Sequence, residues 1–530
     1  MKNKPDIFND VIGPVMRGPS SSHTAASWRI ARICLDLLNE PLKKALVDFD
    51  SNGAWAPNYR EQGTTLGIDG GLLGLEMTDD RMKNTEQLAN EKGVSITYEV
   101  NSFETSHVNT VRLNLEGIYG NTVQVLAVSL GGGSFEIREI DGFDVKISGG
   151  FYELLLSCNN NGQILEELGL LFPENKSITE CTRGNRMLVN LKFSDKISAD
   201  ALQKLEGSTS LEKQIVINPV LPIIAGKGTE LPFTSVASLL EYAAKEDLNL
   251  GELGLIYEKC LSGLSETKVV NRMKNLVELI ENSIKTGLAG TVYEDRILPQ
   301  QSHLVKKAQS RGKILQNSIV NQIVANVSAI MESKSAMEVV VANPTAGSCG
   351  TVGGVLRAVA DDLDATDDEL IQAYFATGIV GAYFAMGPGF SAEEHGCQVE
   401  CGASAGMAAA GIVQLFGGTA KQAIDAASMA IQNMIGLVCD PIADRVEAPC
   451  LGKNISAAVN ALTSATMACA GFNALIPLNE VIETVSSVSS QMPSCVKCTG
   501  RGGLAMTKTA CDLKHKLKLK SEVSRSSVQG

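Results

Sequence analysis

Residues Gly402–Phe416 read Gly-Ala-Ser-Ala-Gly-Met-Ala-Ala-Ala-Gly-Ile-Val-Gln-Leu-Phe. Whether this stretch crosses a bilayer or fills the centre of a water-soluble helical core decides the fold of the C-terminal half. A spanning helix needs roughly 20 mainly apolar residues. This run is shorter, is broken by Ser404 and Gln414, and is made of Ala and Gly rather than Leu and Ile. Ile371–Phe384 and Ala457–Ala474 have the same character, with Gln, Asn, Ser or Gly among their apolar residues. Small side chains let helices approach closely, so these segments read as buried helices of a soluble bundle. From Pro232 onward almost everything else is helical in pattern too: Ser235–Lys245, Asn271–Ser283, Gly312–Ser333, Asp367–Phe384, Ala403–Phe416, Ala420–Ile435, Ile455–Ala470 and Leu478–Ser490. Glycine-rich loops separate them, notably Asn343–Gly354.

Upstream the pattern changes. Ser27–Leu38 has helical periodicity, whereas Ala45–Phe49, Ser95–Glu99, Thr110–Leu115 and Thr122–Ser129 read as strands, closed by a flexible turn at Gly131–Gly133. A second unit, 146–222, runs strand, helix, strand, strand, helix, strand: Asp144–Ser148, Gly162–Leu171, Ile178–Glu180, Met187–Phe193, Ala199–Leu205 and Lys213–Val216. That order suits a small ferredoxin-like module. The expected architecture is a multidomain α+β protein. An N-terminal α+β domain (1–145) is followed by the ferredoxin-like module (146–222) and a large all-helical domain (223–512). A solvated tail (513–530) ends the chain.

At 530 residues the chain is too long for one core. Its formal charge, 46 − 59 = −13, and its lack of a long basic run before the tail argue against nucleic-acid or anionic-membrane partners. Met1–Asp10 is polar and lacks the apolar stretch of a signal peptide, which makes a cytoplasmic location the default expectation. Thirteen cysteines in a reducing compartment read as ligands, catalytic thiols or apolar fillers rather than disulfides. Cys34, Cys158, Cys181, Cys260 and Cys469 lie among ordinary helix or core neighbours and read as packing residues. Cys397, Cys439 and Cys450 differ, because each occupies a polar, turning segment: His395-Gly396-Cys397-Gln398, Cys439-Asp440-Pro441 and Ala448-Pro449-Cys450. Three thiolates can hold three irons of a four-iron cluster and leave one open as a Lewis acid, a use that points to elimination or hydration chemistry rather than electron transfer.

Arg17-Gly18-Pro19-Ser20-Ser21-Ser22-His23-Thr24 precedes a helix. Exposed backbone N–H groups at such a start bind phosphate or carboxylate; the plainer alternative is a serine-capped helix.

Several motifs in one order resemble the iron–sulfur L-serine dehydratases. Gly18–Thr24, His107-Val108-Asn109-Thr110 and Gly131–Gly133 resemble that family's β region. Pro344–Gly350, Gly396-Cys397-Gln398-Val399-Glu400-Cys401-Gly402, Cys439-Asp440-Pro441, Pro449-Cys450, Asn454 and Gly502–Ala505 resemble its α region. The resemblance covers nearly the whole chain, as in single-chain members. It implies a [4Fe-4S] cluster on Cys397, Cys439 and Cys450, an amino-acid substrate, elimination through aminoacrylate to pyruvate and ammonia, an ACT-type regulatory module and a homodimer. It also implies a substrate pocket closed by Ser20, Ser21, Ser22, His23 and Thr24 together with the loop carrying Thr345, Gly347 and Ser348. A tail cysteine caps the open iron in some relatives, and Cys511 is the nearest counterpart.

The chain departs from the family at Gln62-Gly63-Thr64-Thr65, where members commonly read His-Gly-Thr-Asp, and before the first cluster cysteine, where members often carry a basic residue and this chain reads Ala385-Met386-Gly387-Pro388. An amide does not titrate near neutrality, so His395 or His23 is the candidate base; the plainer reading of His395 is a polar loop residue. Cys349, Cys401, Cys495, Cys498 and Cys511 read as structural thiols, although Cys495 and Cys498 form a C-x-x-C pair. L-Cysteine or L-threonine is the alternative substrate within the same chemistry. A non-catalytic iron–sulfur or thiol sensor is the alternative of another class. Structural zinc fits poorly, since the 42-residue gap from Cys397 to Cys439 is unlike the short local spacings of such sites.

Overall fold

The computed structural model describes residues 4–159, 164–205, 211–293, 296–316 and 318–528. It is a mixed α+β structure, with β-sheets in the N-terminal region and a large helical C-terminal region.

After the short strand β1 (Val15–Met16), one π-helical turn, Ser21–Ala25, runs into α1 (Ala26–Leu38). A six-stranded sheet follows: β2 (Leu42–Asp50), β3 (Ser95–Asn101), β4 (Thr110–Gly117), β5 (Thr122–Gly131), β6 (Ser134–Ile140) and β7 (Phe143–Ile147), in the order β3-β2-β4-β5-β6-β7. The β2–β3 pair is parallel and its crossover carries α2 (Thr64–Leu72) and α3 (Thr85–Glu91); the remaining pairs are antiparallel. Alternation explains the core: Val111, Leu113 and Leu115 of β4 and Val123, Val125 and Ala127 of β5 face Ile30, Ile33 and Leu37 of α1.

The second sheet holds β8 (Tyr152–Asn159), β9 (Ser177–Arg183), β10 (Arg186–Phe193) and β11 (Leu211–Ile217), antiparallel in the order β11-β8-β10-β9. With α4 (Ile164–Leu171) and α5 (Ala199–Leu205) this is a ferredoxin-like βαββαβ topology. Leu154, Leu156 and Cys158 turn to its own core, while Leu155 and Ile217 join the core of the first domain. One expectation is corrected here. Phe143–Ile147, read as the opening strand of the module, instead pairs with β6 at the edge of the first sheet, and the module opens on Tyr152–Asn159. A run as short as Asp144–Ser148 carries no signal for which sheet it will join. Gly162 and Gln163, the start of the expected module helix, lie outside the described residues.

The helical region comprises α6 (Val236–Glu246), α7 (Leu250–Ser262), α8 (Glu266–Ala289), α9 (Ser302–Ser310), α10 (Ile319–Ser335), the short strand β12 (Val340–Val341), α11 (Cys349–Asp362), α12 (Asp367–Met386), α13 (Ala392–His395), α14 (Cys401–Leu415), α15 (Ala420–Gln432), α16 (Cys450–Cys469), α17 (Leu478–Gln491) and α18 (Lys508–Val528). β12 pairs with β1 and ties the two regions together. The Ala/Gly-rich stretch forms α14, whose residues Cys401 to Val413 are all buried. A helix apolar on every side belongs at the centre of a core. Among the described residues no helix is long and apolar enough to cross a membrane.

Three readings change. Gly312–Ser333 is not one helix, since the segment between α9 and α10 is irregular. The loop read over Asn343–Gly354 becomes helix at Cys349, after a one-turn 3₁₀ helix at Ala346–Ser348 that Thr345 and Ser348 close with a reciprocal capping box. Gly353 and Gly354 lie inside that helix because Ile280, Ile330 and Val327 pack where a Cβ would sit. The turn at Gly131–Gly133 is a tight hairpin, bridged at Gly131 to Phe390 of the helical region, rather than a flexible link. The tail is helical in backbone as far as Val528, and Lys514 pairs with Asp444 at 2.5 Å.

Candidate active site

Three helices begin at one place. Cys349, Cys401 and Cys450 are the first residues of α11, α14 and α16. Asn454, one turn into α16, ties these starts together. Its Nδ2 donates to the carbonyl oxygens of Gly347 and Cys450, both at 2.9 Å, and lies 3.7 Å from Cys401 Sγ. Its Oδ1 accepts from Thr351 N (3.1 Å) and Thr351 Oγ1 (3.0 Å). Helix starts carry partial positive charge and favour anions such as thiolates.

Cys397 sits in a one-turn 3₁₀ helix ahead of α14, and Cys439 in the loop after α15. Their sulfurs and a carboxylate oxygen of Glu400 all lie within 4.8 Å of one another, a group able to hold a metal ion. Cys450 falls outside that tight group but lies within electrostatic reach of Cys397, and burial with the neighbouring Cys397 raises its thiol to about 12. Hydrogen bonding from Cys397 and Cys498, with burial, pushes the Cys439 thiol up as well. Such protons leave when a metal binds. Cations stand ready. Lys453 donates to Asp440 Oδ1 (2.6 Å) and Val438 O (2.7 Å). Burial opposes its charge, yet Cys397, Asp440, Cys439 and Cys450 hold the ammonium above its ordinary range. Lys334, wholly buried, hydrogen-bonds the Val446 carbonyl and exerts its charge on Glu400 and Cys450. Asp440 is fixed on its other side by Leu504 N at 2.9 Å, which gives the Gly502–Ala505 motif a structural task.

Glu400, which sequence reasoning did not single out, accepts from Thr345 Oγ1 at 2.7 Å and lies 3.8 Å from Cys397 Sγ; burial lifts its carboxyl to about 7. Gly347 is required here, since a Cβ would stand 2.7 Å from Glu400 Oε1.

The N-terminal domain supplies the opposite wall. Ser20 makes no capping bond, so the plain serine-capped reading of 18–24 fails. Instead the π-turn, a feature common at functional sites, directs its side chains inward. Ser21 Oγ accepts from Ala346 N (3.2 Å), which joins this loop to the Thr345–Ser348 loop. Ser22 Oγ donates to Glu393 Oε1 (2.7 Å), and Thr24 Oγ1 donates to the Gln62 carbonyl (3.4 Å). His23 is fully buried. Its Nδ1 lies 3.1 Å from Ser20 Oγ, 3.2 Å from Ser22 Oγ and 3.4 Å from Glu393 Oε1, and its ring lies 5.6 Å from that of Trp55. Burial lowers its basicity against the opposing pull of Glu393. The Asn58 amide is satisfied with its nitrogen 3.1 Å from His23 Nε2 and its oxygen accepting from Gln62 Nε2 at 3.0 Å. Gln62 Nε2 also lies 3.7 Å from Cys498 Sγ. A continuous polar chain therefore runs from His23 through Asn58 and Gln62 to the thiols.

His395 ends α13 two residues before Cys397. It is half-buried, and its Nδ1 has no hydrogen-bond partner among the described residues, so it is not the solvent-facing loop residue of the plainer reading. Cys511 is exposed, whereas Cys498 is buried in one cluster with Cys397 and Cys439, and Cys401 is buried within electrostatic reach of Cys397 and Cys450. Reading those two as merely structural thiols missed this placement. Glu393, Asn58, Lys334 and Lys453 carry no local motif; only their position in space reveals them.

A sequence profile described as "Serine dehydratase alpha chain" matches residues 173–505. The chain belongs to that family. Among its relatives, the "Probable L-serine dehydratase, alpha chain" of Bacillus subtilis (strain 168) is 33% identical over 285 residues, 54% of this chain and 95% of the relative. The "L-serine dehydratase, alpha chain" of Peptoniphilus asaccharolyticus is 32% identical over 273 residues, 51% of this chain and 93% of the relative. "L-serine dehydratase 1" of Escherichia coli (strain K12) is 30% identical over 292 residues, 53% of this chain and 63% of the relative.

Proposed function

We propose that this chain is an L-serine ammonia-lyase that converts L-serine to pyruvate and ammonia by α,β-elimination. The observation that carries the reading is the convergence of Cys397, Glu400 and Cys439 on one point, inside the segment that matches the family. A buried set of thiols beside two lysines suits an iron–sulfur centre in its donor chemistry, and Cys397, Cys439 and Cys450 would hold a [4Fe-4S] cluster. When bound, such a centre supplies a Lewis acid that makes the substrate hydroxyl a leaving group. The chain does the rest. Ser20, Ser21, Ser22 and Thr24 with Thr345, Gly347 and Ser348 are buried, and in this reading they orient the amino acid away from water. His23 takes the Cα proton, oriented by Glu393 in the manner of a base held by a third group. His395 is the second candidate for that task.

In this reading the module that opens at Tyr152 serves as an ACT-type regulatory domain, a role its ferredoxin-like strand order supports. A cytoplasmic homodimer is the expected form. Iron-loaded protein purified without oxygen and offered L-serine, L-threonine and L-cysteine tests the assignment by the 2-oxo acid formed. Pyruvate from L-serine at the highest rate is expected. Iron-loaded protein that yields no 2-oxo acid from L-serine contradicts it.

A further inference from the structure

The two lysines beside the thiols differ in how their charge is met. Lys453 brings its own counter-ion, since Asp440 Oδ1 lies 2.6 Å from its Nζ. Lys334, in the last turn of α10, is 0% exposed, and among the described residues its ammonium donates only to the Val446 carbonyl. No carboxylate of the described residues lies within ion-pair distance of it. Glu400 feels its charge, but the bonds of that carboxylate run to Thr345 and Cys397. An ammonium sealed from water against a single carbonyl is costly, and a buried charge calls for an opposite one nearby. Val446 lies in the loop that joins Cys439 to Cys450, so its bond holds the ammonium against the chain that carries two of the thiols. The charge of Lys334 reaches Cys450 and Cys349 at their helix starts.

We propose that Lys334 is the counter-charge of the loaded metal centre, a buried cation that the fold leaves unneutralised until thiolates and metal stand beside it. Free thiols are neutral near pH 7, and metal binding converts them to thiolates. A [4Fe-4S] core on three thiolates carries net negative charge, which the ammonium of Lys334 meets. One side chain then acts with opposite signs in two states of the protein. It destabilises the metal-free fold, where its charge has no partner, and stabilises the loaded one. A lysine with a merely structural role would stabilise both. Lys334 is thus a positioning residue for the centre, distinct from Lys453, whose charge Asp440 already answers. The inference rests on the iron–sulfur reading and adds to it that metal binding and folding are coupled through Lys334.

The test uses full-length wild-type, Lys334→Met and Lys307→Met proteins. Methionine keeps the length of the side chain without its charge, and Lys307 is an exposed residue of α9 that serves as the control. Each protein is unfolded in denaturant in its metal-free form. Each is also loaded with iron without oxygen, and its iron loss to an excess of chelator is timed. Lys334→Met is expected to raise the metal-free midpoint and to lose iron about 10–100-fold faster, the range typical of a lost outer partner of a metal site. Lys307→Met is expected to match wild type in both. A metal-free midpoint of Lys334→Met at or below that of wild type overturns the proposal, and a variant that fails to fold counts as such. Iron lost from Lys334→Met at the wild-type rate overturns it as well, and leaves the iron–sulfur reading standing. Wild-type protein that takes up no iron overturns the iron–sulfur reading, and this inference with it.

Discussion

On the helical wall of the site, Cys349, Cys401 and Cys450 stand at helix starts, and Asn454 cross-braces the starts at Cys349 and Cys450 through backbone groups. On the N-terminal wall, among the described residues, the His23 ring is held by the side chains of Ser20, Ser22 and Asn58, with Glu393 reaching it from the helical region. A wall built on backbone geometry keeps its shape under substitution of single neighbours. A wall built on side chains can be rewritten one residue at a time. The comparison implies that damage to the helical wall removes the metal, whereas damage to the N-terminal wall leaves the metal and alters the chemistry.

The largest effect is expected at the thiols. Cys397→Ser should abolish the iron chromophore and take activity below about one hundredth of wild type, since even outer-shell changes typically cost 10–100-fold. Iron analysis and the 2-oxo acid assay check both. His23→Ala should keep its iron yet lose roughly 10²–10⁴-fold in kcat. Iron lost together with activity would break the contrast between the walls, and a wild-type rate in His23→Ala alongside loss in His395→Ala would move the base to the other wall.

Protonation sharpens the contrast further. Burial keeps the folded-state pKa of His23 below its ordinary value of 6.5, so the imidazole is neutral at pH 7. The acid limb of kcat/KM should therefore fall below about pH 6.5. The same shift has a sign for stability. Below about pH 6.5 the unfolded chain binds a proton that the folded chain refuses, so stability declines as pH falls from there toward the folded pKa. His23→Asn should flatten that slope in denaturant unfolding followed against pH.

Smaller effects are expected from the braces. Asn454→Ala leaves Thr351 N and the Gly347 carbonyl without their partner, at a cost of about 1–3 kcal/mol, read as a lower denaturant midpoint with reduced iron occupancy. Gly347→Ala forces Glu400 aside and should cost about 1–3 kcal/mol as an overpacked site; a matching loss of iron is expected for a residue of the helical wall, and full iron occupancy would break the contrast.

The helical class, the ferredoxin-like order of the module and the three thiol-bearing turns were legible in the sequence because each has a local signature in period, order or spacing. Helix α11 was not, because Gly350, Gly353 and Gly354 look like loop residues until Met331, Ile330 and Val327 are seen packed against them. The edge strand Phe143–Ile147 went to the wrong sheet because pairing is a property of the partner as much as of the strand. Glu393, Glu400 and Asn58 were illegible for a related reason: they matter through hydrogen bonds to residues up to hundreds of positions away, such as Ser22 to Glu393. Cys498 was visible as half of a C-x-x-C pair, but its neighbours in space are Cys439 and Gln62 rather than Cys495.

The central claim is that a centre held by Cys397, Cys439 and Cys450 binds the substrate directly. Mössbauer spectra of protein loaded with ⁵⁷Fe, recorded with and without L-serine, test it most directly. One iron of the cluster changing its signal on addition of L-serine, with the others unchanged, is the predicted result. A cluster indifferent to L-serine, or protein that holds no iron, would contradict the account.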